Sequence, residues 1–144
     1  MAEVRLPDGN IVNASSIAER RPDDPNRDFG LYLDLRWEPD WPADLIDWPD
    51  FGLPADPEIA RAQITSAYRR VQAGKRVEVG CLGGRGRTGT VLACFATLCG
   101  LSPEDAVNYV RTNYHPAAVE TAAQERWVAW FAGVDQGDRD EGNA

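Results

Sequence analysis

Alternating apolar and polar residues predict β-strands in several short segments of the chain. Residues 3–12 alternate on both sides of a Pro-Asp-Gly-Asn turn, which predicts a β-hairpin. Alternation over residues 30–36 predicts a further strand, and the apolar segment 76–80 predicts a short strand of the buried kind. Segments 20–28 and 37–57 are rich in proline, so we interpret both as irregular surface loops.

Apolar residues spaced three and four apart, together with helix end signals, predict four helices. The first runs from residue 57 to a glycine at 74, and the second covers residues 88–99. The third covers residues 103–113 and has a strong start, because Ser102 is followed by proline and two acids. The fourth covers about residues 120–131 and directs tryptophans and phenylalanine toward a core.

Composition and element order together predict one α/β domain. We expect a central mixed sheet flanked by helices over residues 1–134, followed by a flexible acidic tail at 135–144. The net charge of −8 disfavours nucleic acid and anionic membranes as partners. The sequence contains no recognisable signal peptide or bilayer-spanning apolar run, and its three cysteines lack paired spacing. These features predict a cytoplasmic location.

The segment 80–90 carries the strongest chemical signal: Gly-Cys-Leu-Gly-Gly-Arg-Gly-Arg-Thr-Gly-Thr, between a predicted strand and an apolar helix. Its glycines let the backbone direct several N–H groups at one anion, and the following helix N-terminus adds partial positive charge. Arg87 offers a guanidinium fork that matches two phosphate oxygens. Thiols ionise more readily in such surroundings. The segment therefore predicts a loop that binds phosphate and presents Cys81 to attack it.

A second motif lies upstream, where residues 48–54 read Trp-Pro-Asp-Phe-Gly-Leu-Pro. Alone, it is equally compatible with a turn packed by tryptophan. Beside Cys81-x5-Arg87-Thr, it resembles the cysteine-dependent protein tyrosine phosphatase superfamily, in which a mobile Trp-Pro-Asp loop supplies an acid. Residues 120–124, Glu-Thr-Ala-Ala-Gln, resemble the glutamine loop of the same family. The resemblance covers roughly residues 30–131 and is closest to compact, dual-specificity-like members.

The resemblance implies a phosphatase fold and a two-step hydrolysis of phosphotyrosine, with phosphoserine and phosphothreonine as further candidates. The substrate is then a phosphorylated protein or a small phosphomonoester, and no metal ion or other cofactor is required. Cys81 attacks phosphorus, and Asp50 first protonates the leaving oxygen and then deprotonates water. Arg87 holds phosphate oxygens, Thr88 bonds to the sulfur, and Gln124 orients the water. The predicted substrate-binding residues are those of the loop itself: Leu82, Gly83, Gly84, Arg85 and Gly86.

Some residues depart from the family pattern and leave alternatives open. Gly80 replaces the usual histidine before the cysteine, which is compatible with a module that binds phosphorylated partners without hydrolysing them. Arg85 resembles the basic residue of the lipid- and inositol-phosphate branch, but Leu82 stands where a partner basic residue is expected, so a solvated arginine is the favoured interpretation. Glu120 stands where the tyrosine-specific branch often has glutamine. Residues 84–90 superficially resemble a nucleotide-binding loop, but the required lysine is missing. The sequence does not indicate an oligomeric state.

Overall fold

The computed structural model describes residues 2–17, 25, 27–83 and 85–143, which form a five-stranded sheet and four helices. The sheet order is β1-β2-β5-β3-β4, with β1 and β2 antiparallel and the other neighbours parallel, so the predicted mixed α/β sheet is confirmed. The strands are β1 (Ala2–Arg5), β2 (Ile11–Ser16), β3 (Phe29–Tyr32), β4 (Ala43–Leu45) and β5 (Val77–Cys81). The helices are α1 (Pro57–Gln72), α2 (Gly86–Leu98), α3 (Pro103–Asn113) and α4 (Ala122–Asn143).

Strand β5 lies in the middle of the sheet and carries the phosphate-loop sequence to its carboxyl edge. All five of its residues are buried between β2 and β3, which both run parallel to it. Helix α2 follows directly and packs against β5 and the other three helices. Ligands of open parallel sheets bind outside the carboxyl ends of the strands. The topology therefore places Cys81, the last residue of β5, where a ligand has access.

A buried acid interrupts the apolar sequence of β5. The Glu78 carboxylate accepts hydrogen bonds from the Tyr32 hydroxyl and from Arg27 Nε, the latter at 2.9 Å. Trp41 Nε1 in turn donates to the Tyr32 hydroxyl at 2.8 Å. A buried charge is tolerated when it is paired and hydrogen-bonded. This network lets a polar residue occupy a central strand position.

The strand predicted over residues 30–36 is shorter in the structure and ends at Tyr32. Asp34 causes a turn there, because its carbonyl accepts from Trp37 N and its carboxylate accepts from Arg36 N. Strand β4 was missed within the predicted irregular loop. It has only three residues and pairs with the outer edge of β3. Three residues are too few for an alternating pattern to be recognised within a proline-rich loop.

The four predicted helices are all present, with shifts at some ends. Helix α2 begins at Gly86, within the glycine-rich segment, two residues earlier than predicted. Helix α4 begins after Thr121, whose hydroxyl accepts a hydrogen bond from Gln124 N at 3.0 Å, and continues to Asn143. Glycines within a helix cost only about 1 kcal/mol each relative to alanine, so those of α4 do not end it. The division into a domain of 1–134 and a flexible tail stays a prediction.

Most of the predicted loop over 20–28 lies outside the described residues. None of the described helices is long and apolar enough to cross a membrane.

Candidate active site

Cys81 and Thr88 meet at the junction of β5 and α2. The Thr88 hydroxyl lies 3.2 Å from Cys81 Sγ, and both side chains are buried. The strand–loop–helix connection explains this pairing, since the loop returns the chain so that the first turn of α2 faces the last residue of β5. A hydroxyl donor at this distance stabilises negative charge on sulfur, both when the thiolate attacks and when it leaves.

The phosphate loop (residues 81–87) connects the last residue of β5 to the first turn of α2. Leu82, Gly83 and Arg85 are exposed, whereas Gly86 is buried, and Gly84 lies outside the described residues. The Arg85 side chain does not cap the helix. Because the first N–H groups of a helix have no intrahelical acceptor, those of α2 can bind an anion beside Cys81.

Arg87 is almost fully buried, and one of its nitrogens joins α2 to the segment after β3 and to the segment that contains Trp48. Its Nη1 donates to the carbonyls of Leu33 at 3.0 Å and Trp48 at 2.6 Å, and lies 3.5 Å from the Asp34 carboxylate. Its Nε and Nη2 are also buried, and they hydrogen-bond to no residue that the structure describes. Buried donors without acceptors cost about 1–3 kcal/mol each, so their retention here points to an anionic ligand.

Asp34 anchors this arrangement from the end of β3. A hydrogen bond from Arg36 lowers the pKa of the Asp34 carboxyl to about 2, and the charge of Arg87 adds to the effect against the opposing influence of burial. The carboxylate is therefore charged at neutral pH. Asp34 forms an ion pair with Arg36, and the same carboxylate also faces Arg87.

The acid loop (residues 48–54) has a buried anchor and an exposed tip. Trp48 is 1% exposed, packs on Trp127 with ring centroids 5.3 Å apart, and donates from Nε1 to Gly52 O at 2.8 Å. Phe51 turns the chain at a positive φ of 60°, a conformation uncommon for large side chains. Asp50 is consequently held at the tip, about half exposed, with Oδ1 3.6 Å from Arg87 Nε.

Gln124 connects α4 to the acid loop. The side chain is fully buried, its Oε1 accepts from Glu120 N at 2.8 Å, and its Nε2 donates to Gly52 O at 3.2 Å. The residue thus braces two backbone segments and does not line the pocket. The sequence-based prediction of its role in orienting water stays a prediction.

The residues of both loops enclose a pocket of about 230 Å³. Glu120, which was assigned no role from the sequence, is one of its walls. Burial and the nearby Asp50 raise the pKa of the Glu120 carboxyl, whereas Arg87 and Arg85 act to lower it. The lining residues are Asp50, Phe51, Cys81, Gly83, Arg85, Gly86, Arg87 and Glu120.

Comparison with known proteins agrees with this geometry. Residues 50–128, more than half of the chain, match the family model described as a Swiss Army Knife protein, DSP-PTPase phosphatase domain. The chain belongs to this phosphatase family. Two uncharacterised proteins of Methanocaldococcus jannaschii are 37% and 36% identical over 109 residues, which is 68% of this chain and 71% and 66% of those proteins.

Solved structures place the chain among dual-specificity-like protein tyrosine phosphatases. Tk-PTP in its active form is 29% identical, with a TM-score of 0.72 over 90% of this chain and 95% of that one. Human DUSP28 has the same TM-score at 16% identity, over 95% of this chain and 99% of that one, which shows a shared fold alone.

The structure explains why this family member has glycine before its cysteine. A Cβ at Gly80 would lie 2.7 Å from Trp37 Cζ2 and 3.1 Å from the Ser15 carbonyl oxygen. Trp37 is 1% exposed and stacks on Tyr32 with ring centroids 4.0 Å apart. The indole thus occupies the space into which a side chain at position 80 would extend.

We expect Gly80→Ala to destabilise the domain, because neither the stacked indole nor the β2 backbone can move freely. Overpacking of this kind costs about 1–3 kcal/mol. The change in free energy of unfolding is measured by urea titration. Gly83→Ala is the matched control, since a Cβ there meets no atom of the described residues within 4 Å. If Gly80→Ala unfolds at the same urea concentration as the wild type, Trp37 does not determine the residue at this position.

Proposed function

We propose that the chain hydrolyses phosphotyrosine in proteins through a cysteinyl-phosphate at Cys81, with phosphoserine and phosphothreonine as further candidate substrates. One observation carries the proposal: Arg87 Nε and Nη2 are buried beside the Cys81 pocket and make no hydrogen bond to the described residues, with Asp50 Oδ1 3.6 Å from Nε. Two adjacent N–H donors of a guanidinium match two oxygens of one phosphoryl group. Such a group held by Arg87 lies within the same pocket as a nucleophilic sulfur.

The first half-reaction transfers the phosphoryl group to sulfur. Cys81 Sγ attacks phosphorus, the bond from phosphorus to the ester oxygen breaks, and Asp50 gives its proton to the departing oxygen. Arg87 and the amides at the start of α2 stabilise the charge that develops on the phosphoryl oxygens. In the second half-reaction water attacks phosphorus, Asp50 accepts a water proton, and the thiolate leaves with help from the Thr88 hydroxyl.

Hydrolysis is favoured over a module that only binds phosphorylated partners. The main sequence feature in favour of the binding module is Gly80. Glycine is explained at this position by packing, because Trp37 leaves no space for a side chain. The groups required for turnover are near one another, since Thr88 is 3.2 Å from the sulfur and Asp50 is 3.6 Å from Arg87. Their retention favours an active enzyme.

We expect Asp50→Ala to lower kcat by about 10²–10⁴-fold, because the leaving oxygen then departs without a proton. The effect should be smallest for p-nitrophenyl phosphate, whose leaving group is stable as an anion, and largest for a phosphoseryl peptide. Steady-state kinetics on both substrates measure the difference. Asp47→Ala is the control, an exposed carboxylate in the adjoining segment that does not line the pocket. An equal loss on both substrates would contradict proton donation by Asp50.

The substrate class is tested by phosphate release from phosphotyrosyl, phosphoseryl and phosphothreonyl peptides and from a soluble inositol polyphosphate. The proposal requires the phosphotyrosyl peptide to have the highest kcat/KM. Arg85 is the specific reason to include the inositol compound, because this exposed cation lines the pocket and is placed to meet a second phosphate. If the enzyme prefers the inositol compound, its substrate class is inositol or lipid phosphates and not phosphoproteins, while the catalytic mechanism stays the same.

A further inference from the structure

We propose that three leucines beside the active-site pocket form a recognition surface for substrates that carry an aliphatic residue next to the phosphotyrosine. We name this surface the leucine collar; it consists of Leu35, Leu53 and Leu82. The inference rests on the proposed function, because it states which phosphotyrosyl segments the Cys81 pocket takes. Its support comes from the distribution of exposed apolar side chains, from the turn that presents Leu35 and from the small size of the pocket.

Exposed apolar side chains are concentrated near the pocket. In the described part of the chain six large ones are exposed, and four of them lie in the acid loop, the phosphate loop and the turn after β3. Leu35 is 56% exposed, and Leu53 and Leu82 are each 38% exposed. The fourth, Phe51, is a wall of the pocket itself. Apolar residues scattered singly on a surface need no explanation, whereas a concentration of them among polar groups marks a binding site.

Leu35 and Leu82 follow neighbouring strands at the sheet edge where Cys81 lies. Strands β3 and β5 are parallel, and Leu33 N donates to Gly80 O at 2.8 Å, which continues their pairing beyond the end of β3. Each leucine lies two residues beyond this hydrogen bond. The chain therefore brings both leucines to the same edge of the sheet.

A second cavity connects Leu35 with the active-site pocket. It measures about 270 Å³ and is lined in part by Asp50 and Arg87, which also line the pocket. Leu35, Trp48 and Pro49 supply its apolar surface. A chain segment attached to a phosphotyrosine in the pocket can therefore reach Leu35 directly.

The turn that presents Leu35 is held by hydrogen bonds on both sides of the leucine. Arg36 N donates to the Asp34 carboxylate at 2.9 Å, and Trp37 N donates to the Asp34 carbonyl at 3.2 Å. Arg36 Nε also donates to this carboxylate, at 2.8 Å, and the Trp37 side chain is buried. Since the turn is already ordered, little conformational entropy is lost when a ligand contacts Leu35.

The substrate itself is the partner that covers the collar. The pocket of about 230 Å³ is smaller than the sites of about 300–1,000 Å³ that usually enclose small ligands, so it takes the phosphorylated side chain without the residues beside it. Those residues rest on the rim. A bilayer is a less suitable partner, because exposed Asp50, Arg85 and Glu120 interrupt the apolar surface, and membrane binding increases with buried apolar area.

Phosphotyrosyl peptides test the collar directly. Leucine, serine, lysine or glutamate is placed in turn at each of two positions on either side of phosphotyrosine, and kcat and KM are measured. At one position or more, leucine should raise kcat/KM about tenfold over serine, as a contact with one aliphatic side chain does. The gain should lie in KM, because this contact is the same in the ground state and the transition state.

Leu35→Ser should remove most of the difference between the leucine and serine peptides, and Leu35→Met, which keeps an apolar side chain, should retain it. The ratio compares two peptides on one enzyme, so a change in the folded fraction does not alter it. Ile11→Ser is the matched control, an exposed isoleucine at the amino end of β2, on the sheet edge opposite Cys81, and it should keep the ratio. A wild-type enzyme that does not favour leucine, or a ratio of full size in Leu35→Ser, would overturn the proposal.

Binding to Cys81→Ser separates failure of the collar from failure of the proposed function. Anisotropy of fluorescein-labelled peptides gives Kd without turnover, and the leucine peptide should again bind more tightly than the serine peptide. If the wild type hydrolyses no peptide but this order in Kd is kept, the proposed function is wrong and the collar is supported. Equal Kd values overturn the collar, as does wild-type binding to phosphatidylcholine vesicles that Leu35→Ser loses, which would assign the surface to a bilayer.

Discussion

Replacing Cys81 by serine is expected to lower turnover by about 10⁴-fold or more while the protein still binds oxyanions. A serine hydroxyl is barely ionised at neutral pH and its oxygen is a poor nucleophile there, so the cysteinyl-phosphate route is lost. The phosphate-binding groups are separate from the nucleophile: Arg87 Nε and Nη2 and the first amides of α2 are unchanged by the substitution. Phosphate release from p-nitrophenyl phosphate and calorimetric titration with tungstate measure the two properties.

The matched control is Cys99→Ser. Cys99 is half-buried at the end of α2, beside the Tyr68 hydroxyl at 3.3 Å and outside the pocket. It should keep turnover within about twofold of the wild type, because it contacts none of the reacting groups. Turnover of Cys81→Ser that approaches the wild-type rate would place the nucleophile elsewhere. Loss of tungstate binding as well would mean that the sulfur itself holds the loop in its binding conformation.

Arg87→Lys is expected to be nearly as damaging, with losses in both kcat and substrate affinity. Lysine keeps the charge but provides no planar fork, so the pair of donors that faces the phosphoryl group disappears. Removal of one preorganised donor costs about 10²–10³-fold in kcat, and here two are lost. The carbonyls of Leu33 and Trp48, which share Arg87 Nη1, also lose their donor. Steady-state kinetics measure the loss of catalysis, and urea titration measures the loss in free energy of unfolding.

The control for that experiment is Arg69→Lys, which alters an exposed arginine of α1 outside the pocket. It should leave kinetics and stability within experimental error, since surface substitutions usually change the free energy of unfolding by no more than about 0.5 kcal/mol. If Arg87→Lys lowers the free energy of unfolding but leaves kcat/KM intact, Arg87 is a structural residue that joins the acid loop to β3. The proposed use of its other two nitrogens would then be wrong.

The sequence predicts those parts of the site whose geometry is local. Cys81, Arg87 and Thr88 lie within one strand–loop–helix connection, so their spacing alone brings them together. Asp50 is separated from them by α1, and its position was expected only because the Trp-Pro-Asp motif resembles a known family. The structure brings it within 3.6 Å of Arg87.

Long-range packing explains what the sequence does not show. Trp37 fills the space beside Gly80, yet the two residues are distant in the chain and no spacing rule links them. The Gln124 side chain accepts a hydrogen bond from Glu120 N and donates one to Gly52 O. The second bond depends on how α4 packs against the acid loop. The family pattern therefore marks positions 120 and 124, but it does not show that the Glu120 side chain lines the pocket while Gln124 is fully buried.

The central claim is that phosphate passes through Cys81, and trapping that species tests it most directly. Wild-type protein is mixed with a ³²P-phosphotyrosyl peptide, quenched in acid within the first turnover and digested. The account predicts one label on the peptide that contains Cys81, and none on that peptide in Cys81→Ser. Turnover of the substrate with no label on that peptide would contradict it.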